Sequence, residues 1–478
     1  MMSRPATVVL VNPNRMRPPI APVGLDYLAA SLEQRGHRPV LLDLCWPEDW
    51  RAEIERCFAE VAPDLIGFSI RNIDDCYMAS QQHFGPLYRE MLEAIRRASV
   101  APVVLGGVGF SVMPEALLEL LGADYGVAGD GEEALAEMAD RIAQGREFAD
   151  VAGLIWRGDG GWRANPSVAV PGDGIPTRRR FVDNARYFAE GGQGGVETKR
   201  GCPSRCIYCA DPVAKGRCYR LRPPARVADE FEELLRQGVT HIHLCDAEFN
   251  CPADHAESVC AELIRRGLQS QVRWYTYAAP APFTDRLARL MADSGCAGIN
   301  FGADSGDAAM LVRLGRAHTP DDIRRAALLC REHGIPVMFD LLLGGPGETR
   351  DTIAETIALM KQVEPDVVGI SVGVRIWPHT AMAEIVRSEG FSPANPNLRG
   401  RVEGNDDFLW PVFYLSSELG ADIGAYLDGL VAGDPRFFVA DIERSDRNYN
   451  YNENLPLINA IRAGARGAYW DILRRLRQ

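Results

Sequence analysis

The sequence predicts an α/β protein built from a doubly wound parallel sheet, a partial (β/α)6 barrel and a helical C-terminal region. Three observations predict this. Short apolar runs alternate with longer helix-like runs twice over, across residues 1–150 and again across 195–385. Such alternation is the pattern of parallel sheets flanked by helices. A stretch rich in Pro and Gly, 151–194, separates the two runs, and beyond 386 the pattern turns helical and aromatic.

In the first run, strands read at 7–12, 39–44, 65–70, 102–105 and 125–128, with helices at 24–35, 50–61, 87–98, 114–121 and 132–143. Ligands of such sheets sit beyond the carboxyl ends of the strands. That rule picks out Asn12-Pro13, Ser69 to Asn72, Gly106-Gly107 and Gly129-Asp130-Gly131. Three of these four tips carry glycines or small residues, as close backbone approach to a ligand requires. The intervening segment contains a hairpin, GLIWRGDGGWRANP, turning at Asp159-Gly160-Gly161. Irregular chain follows, and its Arg178-Arg179-Arg180 reads as a solvated linker.

In the second run, strands read at 196–199, 241–245, 272–277, 298–302, 337–343 and 367–374, with helices at 225–237, 253–266, 285–294, 320–333 and 351–362. Six strand–helix units make an open three-quarter barrel, whose active site gathers at the strand carboxyl ends. Those ends hold a cysteine group, Asp246-Ala247-Glu248, Asp304-Ser305 and Gly344-Gly345-Pro346-Gly347-Glu348. The C-terminal region, 386–478, is expected to cover the barrel mouth. Its Tyr449, Asn450, Tyr451 and Asn452 offer stacking faces and amide donors to a polar substrate, or form a helix-capping loop over a core.

Composition narrows the functional class. The 478 residues are 46% hydrophobic and 24% charged, as in ordinary globular proteins. Net charge is −13, so a small-molecule substrate is expected and a nucleic-acid partner is not. No uncharged apolar run approaches the roughly 20 residues of a bilayer span, and no leader-like segment opens the sequence. A cytoplasmic, monomeric protein is expected. Of the twelve cysteines, nine are scattered singly and read as small buried hydrophobes.

The exception is Gly201-Cys202-Pro203-Ser204-Arg205-Cys206-Ile207-Tyr208-Cys209, on a loop bent by Gly and Pro after the first barrel strand. Three thiolates at this spacing surround one metal centre. Structural zinc normally takes a fourth Cys or His, for which His241 and Cys218 are the conceivable candidates. A [4Fe–4S] cluster held by three cysteines leaves one iron open to a substrate.

This loop, with an aromatic residue before its last cysteine, resembles that of the radical S-adenosylmethionine superfamily. Gly344-Gly345-Pro346-Gly347-Glu348-Thr349 resembles the glycine-rich motif after the fifth strand, although a tight strand-to-helix turn has the same composition. Phe301-Gly302-Ala303-Asp304-Ser305-Gly306 is similar to the fourth-strand end that meets the ribose. Asp246-Ala247-Glu248 stands where the family often carries Gly-Gly-Glu. The resemblance implies a [4Fe–4S] cluster on Cys202, Cys206 and Cys209. It implies S-adenosylmethionine contacts at Tyr208, Glu248, Asp304, Ser305, Gly344, Gly345 and Pro346, with Arg316 and Arg375 as carboxylate holders or surface ion pairs.

The first domain resembles the cobalamin-binding domain that precedes the barrel in one branch of this superfamily, a plain nucleotide-binding domain being the alternative. Supporting stretches are LVNPNRMRPPIAPVGLDYLAASLEQRGH, LGGVGFSVMPEALLEL and GVAGDGEEAL. The resemblance implies cobalamin contacts at Pro13, Ser69, Arg71, Gly106, Gly107, Gly129, Gly131 and Glu132. Asn14-Arg15-Met16-Arg17-Pro18-Pro19 lacks the histidine that methionine-synthase-like domains give to cobalt, so none is expected below the metal. Arg71 is expected near the lower corrin face, or else in a salt bridge to Asp74 or Asp75.

The implied activity is a cobalamin-dependent radical methyltransferase acting on an unactivated carbon of a small metabolite. In the implied course, a 5′-deoxyadenosyl radical removes hydrogen, which no side-chain acid or base does at neutral pH, and methylcobalamin supplies the methyl group. An external one-electron reductant of flavodoxin or ferredoxin type is implied. Other readings are the same cofactors used for rearrangement, cyclisation or oxidation, and a non-catalytic cobalamin or redox sensor.

Overall fold

The computed structural model describes residues 4–439 and 451–477. The N-terminal sheet grows around β1 (Thr7–Asn12), which pairs in parallel with β2 (Arg38–Asp43) and β3 (Leu65–Ser69). Then β4 (Val103–Gly106) and β5 (Tyr125–Val127) continue it in the order β2-β1-β3-β4-β5. Successive strand side chains point to opposite faces. Val8 and Leu10 therefore pack with the helices Val23–Gln34 and Glu132–Gln144. Val9 and Val11 pack with Trp50–Glu60, Gly85–Ala98 and Pro114–Leu121. One strand's alternation thus makes two cores, which is what doubly wound means physically.

The hairpin forms as the sequence predicts, but it is part of this sheet and not of a free linker. Its strands β6 (Leu154–Gly158) and β7 (Gly161–Ala164) are antiparallel, and β6 pairs with the open edge of β5. Arg179 likewise departs from the solvated reading. It is fully buried, with its guanidinium on Asp26 at 3.0 Å and on Glu230 at 2.6 Å. Glu230 also pairs with buried Arg222, and Tyr27 donates its hydroxyl to Glu230 at 2.7 Å. Asp26 and Tyr27 belong to the first sheet's helix and Glu230 to a barrel helix, so this network ties the two halves together. Only Arg178 and Arg180 lie at the surface, both on Glu33.

The barrel strands are β8 (Gly194–Val196), β9 (His241–Leu244), β10 (Arg273–Ala278), β11 (Cys296–Asp304), β12 (Val337–Leu343) and β13 (Val367–Val372). All neighbours are parallel, and a seventh parallel strand, β14 (Phe437–Val439), adds to β13 from the C-terminal region. Outward residues such as Ile242, Trp274, Phe301, Phe339 and Ile370 form the largest core with the five surrounding helices.

At the strand starts, the inward residues Tyr275, Met338 and Val367 pack with the helices Leu455–Arg462 and Tyr469–Arg475. Tyr275 donates its hydroxyl to Asp471 at 2.9 Å. The end of the C-terminal region therefore plugs the barrel floor, while Leu398, Phe408, Val412 and Tyr414 pack near Ile207 and Tyr208 of the cysteine loop at the mouth. The region is also not purely helical, because Val374–Arg375, Val412–Tyr414 and Leu398–Gly400 form a small antiparallel sheet. Tyr449 and Asn450 lie outside the described residues. Among the described residues, no helix is long and apolar enough to cross a membrane.

Candidate active site

The carboxyl ends of the two sheets face each other across a cavity of about 1060 Å3. From the first sheet, Ser69, Arg71, Gly106, Gly107, Gly129, Gly131 and Glu132 all line it, as the tip rule expects. Gly107 has a φ of 99°, and a Cβ there would lie 2.6 Å from the Ile70 carbonyl, so only glycine fits. Pro13 is buried and outside the lining, although its neighbours Asn12 and Asn14 are in it. Glu132 presents no free carboxylate, because Arg200 holds it at 2.7 Å.

Arg71 is exposed on this wall and has no ion pair among the described residues. The salt-bridge alternative fails because both candidate acids are engaged elsewhere. Asp74 binds Arg375 at 2.9 Å, and Asp75 accepts from Ser80 and from the Tyr77 amide. Arg375 is correspondingly unavailable as a carboxylate holder. It also donates to the Phe408 carbonyl at 3.0 Å and lies over the Trp377 ring.

On the barrel side, the cysteine loop begins at Gly201, whose φ is 83° and where a Cβ would fall 2.1 Å from the Cys218 carbonyl. Backbone bonds from Cys202 to Gly216 and from Ile207 to Leu314 fix the loop. Cys202, Cys206 and Cys209 line a second cavity, of about 200 Å3, together with Tyr208, Glu248 and Arg316. Among the described residues, no three His, Cys, Asp or Glu side chains converge on a single ion position. The three thiols share one cavity, which has room for a polynuclear group. Of the conceivable fourth ligands, His241 is stacked on Phe188 at the strand start, and Cys218 is exposed and not part of this cavity's lining. Burial raises the Cys206 and Cys209 thiols, the latter to about 12, while the Arg316 guanidinium opposes this at Cys206.

Behind the triad, Tyr208 donates to Asp304, and Asp304 meets Arg316 at 3.2 Å. Arg316 meets Glu248 at 3.0 Å. Tyr208, Glu248 and Asp304 are thus brought together around the cysteines. Ser305 is not, because it is wholly buried with its hydroxyl on Thr356 at 3.1 Å. Gly344, Gly345 and Pro346 also lie outside both cavities. The Gly344 and Gly345 amides donate to the wholly buried Glu348 carboxyl, which burial raises to about 7. The glycine motif forms a tight strand-to-helix turn, with Thr349 capping the following helix.

The two cavities adjoin, since Tyr208, Tyr277, Gly302 and Asp340 line both. Sequence reasoning missed the inner barrel face, where His243, Tyr277, Asn300 and Asp340 line the large cavity. Asn300 donates its amide to Asp340 at 2.6 Å. The His243 and Tyr277 rings sit 4.8 Å apart, and burial lowers His243 to about 4, leaving it neutral near pH 7. A signal existed: Asp340 is a lone charge inside the apolar run VMFDLLL.

Comparison with known proteins agrees with this arrangement. The Radical SAM superfamily model matches residues 196–360, and the B12 binding domain model matches 15–139. Tryptophan 2-C-methyltransferase from Streptomyces laurentii is 35% identical over 447 residues, covering 80% of this chain and 75% of that protein. The structure of the radical S-adenosylmethionine methyltransferase TsrM from Kitasatospora setae, with tryptophan substrate and a SAM analogue bound, superposes with a TM-score of 0.92 at 34% identity, covering 98% of this chain and 97% of that one. The cobalamin-dependent S-adenosylmethionine radical enzyme OxsB shares the fold, with a TM-score of 0.69 at 19% identity over 86% of this chain and 64% of its own.

Proposed function

Because this chain belongs to the radical S-adenosylmethionine superfamily, in the cobalamin-dependent branch that methylates carbon, we propose that its substrate is tryptophan or a closely related aromatic amino acid, held between the two sheets. The observation that carries this reading is the near whole-length likeness to a tryptophan-bound structure. The cavity supports it with aromatic residues in its lining, among them Tyr277, Tyr451, Tyr469 and Trp470.

Cys202, Cys206 and Cys209 are assigned to a [4Fe–4S] cluster, and Tyr208, Glu248 and Asp304 to the S-adenosylmethionine beside it. Ser69, Gly106, Gly107, Gly129 and Gly131 are assigned to cobalamin, with Arg71 on the same wall. When bound, these groups supply the one-electron step, the methyl group and its carrier. The chain supplies placement. Asn300 holds the Asp340 carboxylate, which lines both cavities. Neutral His243 brings no second positive charge to that wall. An external one-electron donor of flavodoxin or ferredoxin type completes the system.

The test is anaerobic reconstitution with iron, sulfide and cobalamin, followed by incubation with S-adenosylmethionine and tryptophan. A product one methylene heavier is expected. Turnover of S-adenosylmethionine with no methylated amino acid from any aromatic candidate would sink the substrate reading. 5′-Deoxyadenosine formed in step with product would mark hydrogen-atom removal, and its absence would mark direct methyl transfer to the ring.

A further inference from the structure

Arg316 is the most heavily bonded side chain at the cysteine cavity, and its contacts lead to a role beyond holding a substrate carboxylate. Its Nη1 donates to the Cys206 Sγ at 3.1 Å. Its Nη2 donates to Glu248 at 3.0 Å and to the Gly302 carbonyl at 2.7 Å, and its Nε faces Asp304 at 3.2 Å. The side chain is only 7% exposed.

The backbone leaves it little freedom. Arg316 donates its amide to Leu311, and the adjoining Gly315, at a φ of 73°, is pressed on the cysteine loop so that a Cβ would sit 2.3 Å from the Arg205 carbonyl. The Ile207 amide bonds to Leu314 from the other side. The guanidinium is therefore fixed against one thiol of the triad.

We propose that Arg316 is a positioning residue that sets the reduction potential of the cluster, through a charge-assisted hydrogen bond to the Cys206 sulfur. The inference rests on the assignment of the triad to a [4Fe–4S] cluster. Adding one electron makes the cluster more negative, and hydrogen bonds to ligand sulfurs are among the determinants of its potential. A buried cationic donor stabilises the reduced state more than the oxidised one. Removing it also leaves the Glu248 and Asp304 carboxylates uncompensated beside the cluster, which acts in the same direction.

The test is an EPR-monitored redox titration of the anaerobically reconstituted full chain without S-adenosylmethionine. Relative to wild type, Arg316→Met is expected to make reduction at least tenfold less favourable, about 59 mV for a one-electron couple. Arg316→Lys, which keeps a charge, should fall between the two. A fully loaded Arg316→Met protein within threefold of wild type would overturn the proposal. Wild-type protein that loads no four-iron cluster would instead overturn the ligand assignment beneath it. Should Arg316→Met fail to fold or load, pulsed EPR of reduced wild type labelled with 15N-arginine decides. A 15N coupling to the cluster spin supports the hydrogen bond, and no coupling overturns it.

Discussion

Along the shared cavity the first sheet presents small residues and bare backbone, Ser69, Gly106, Gly107, Gly129 and Gly131, with Arg71 unpaired among the described residues. The barrel presents side chains already bonded to one another, Arg316 to Glu248 and Asp304, and Asn300 to Asp340. Backbone walls suit a broad ligand that must approach closely, and pre-bonded side chains suit small polar ligands whose orientation must be fixed. The same strand-end geometry therefore serves two different recognition problems.

The sharpest break in this comparison is expected at the triad. Replacing any one of Cys202, Cys206 or Cys209 by Ala should abolish iron loading and turnover while leaving cobalamin uptake by the first sheet intact, read by iron content and visible absorption. Next is the seam between the halves. Arg179→Met leaves Asp26 and Glu230 buried with less compensation, and breaking such a pair costs about 3–5 kcal/mol, measurable by denaturant unfolding.

A smaller change is expected from Arg71→Ala. It should alter the visible spectrum of bound cobalamin with unchanged iron content, and lower turnover by no more than about tenfold, or 1.4 kcal/mol. An unchanged spectrum would remove Arg71 from the cobalamin wall. Different in kind is a pH effect at Glu348, raised by burial from 4.5 to about 7. The folded chain holds this proton more tightly, so the stabilisation is complete below 4.5 and lost as pH rises through 7. Glu348→Gln should flatten the stability profile across that window.

The five barrel helices and most strands were legible because their periodicity is local. The first barrel strand was not placed well, at 196–199 against the observed Gly194–Val196. After Val196 the chain turns away to Asp246, which accepts from the Thr198 amide at 2.8 Å and from the Lys199 ammonium at 3.1 Å, a bond across 48 residues that no local pattern shows. β14 was missed for the same reason, since three residues carry no period and its partner is far off in sequence.

That the cysteines and the glycine tips line the two cavities was legible because their spacing or conformation is itself the signal. Ser305, Gly344 and Gly345 lie outside both cavities and Arg375 is bonded to Asp74, because a motif gives residue types but not which bonds the fold has already made with them. Asp340 and His243 went unread because an inward polar residue stands out only once the strand's faces are assigned.

The plugged floor has a consequence for synthesis. Residues 455–473 leave the ribosome after every barrel strand, yet they cover the inward faces of Tyr275, Met338 and Val367. Until they emerge, the nascent barrel displays an apolar hollow, the kind of surface that draws chaperones or clumps. Truncation ahead of Leu455 should therefore yield insoluble aggregate instead of a smaller working enzyme.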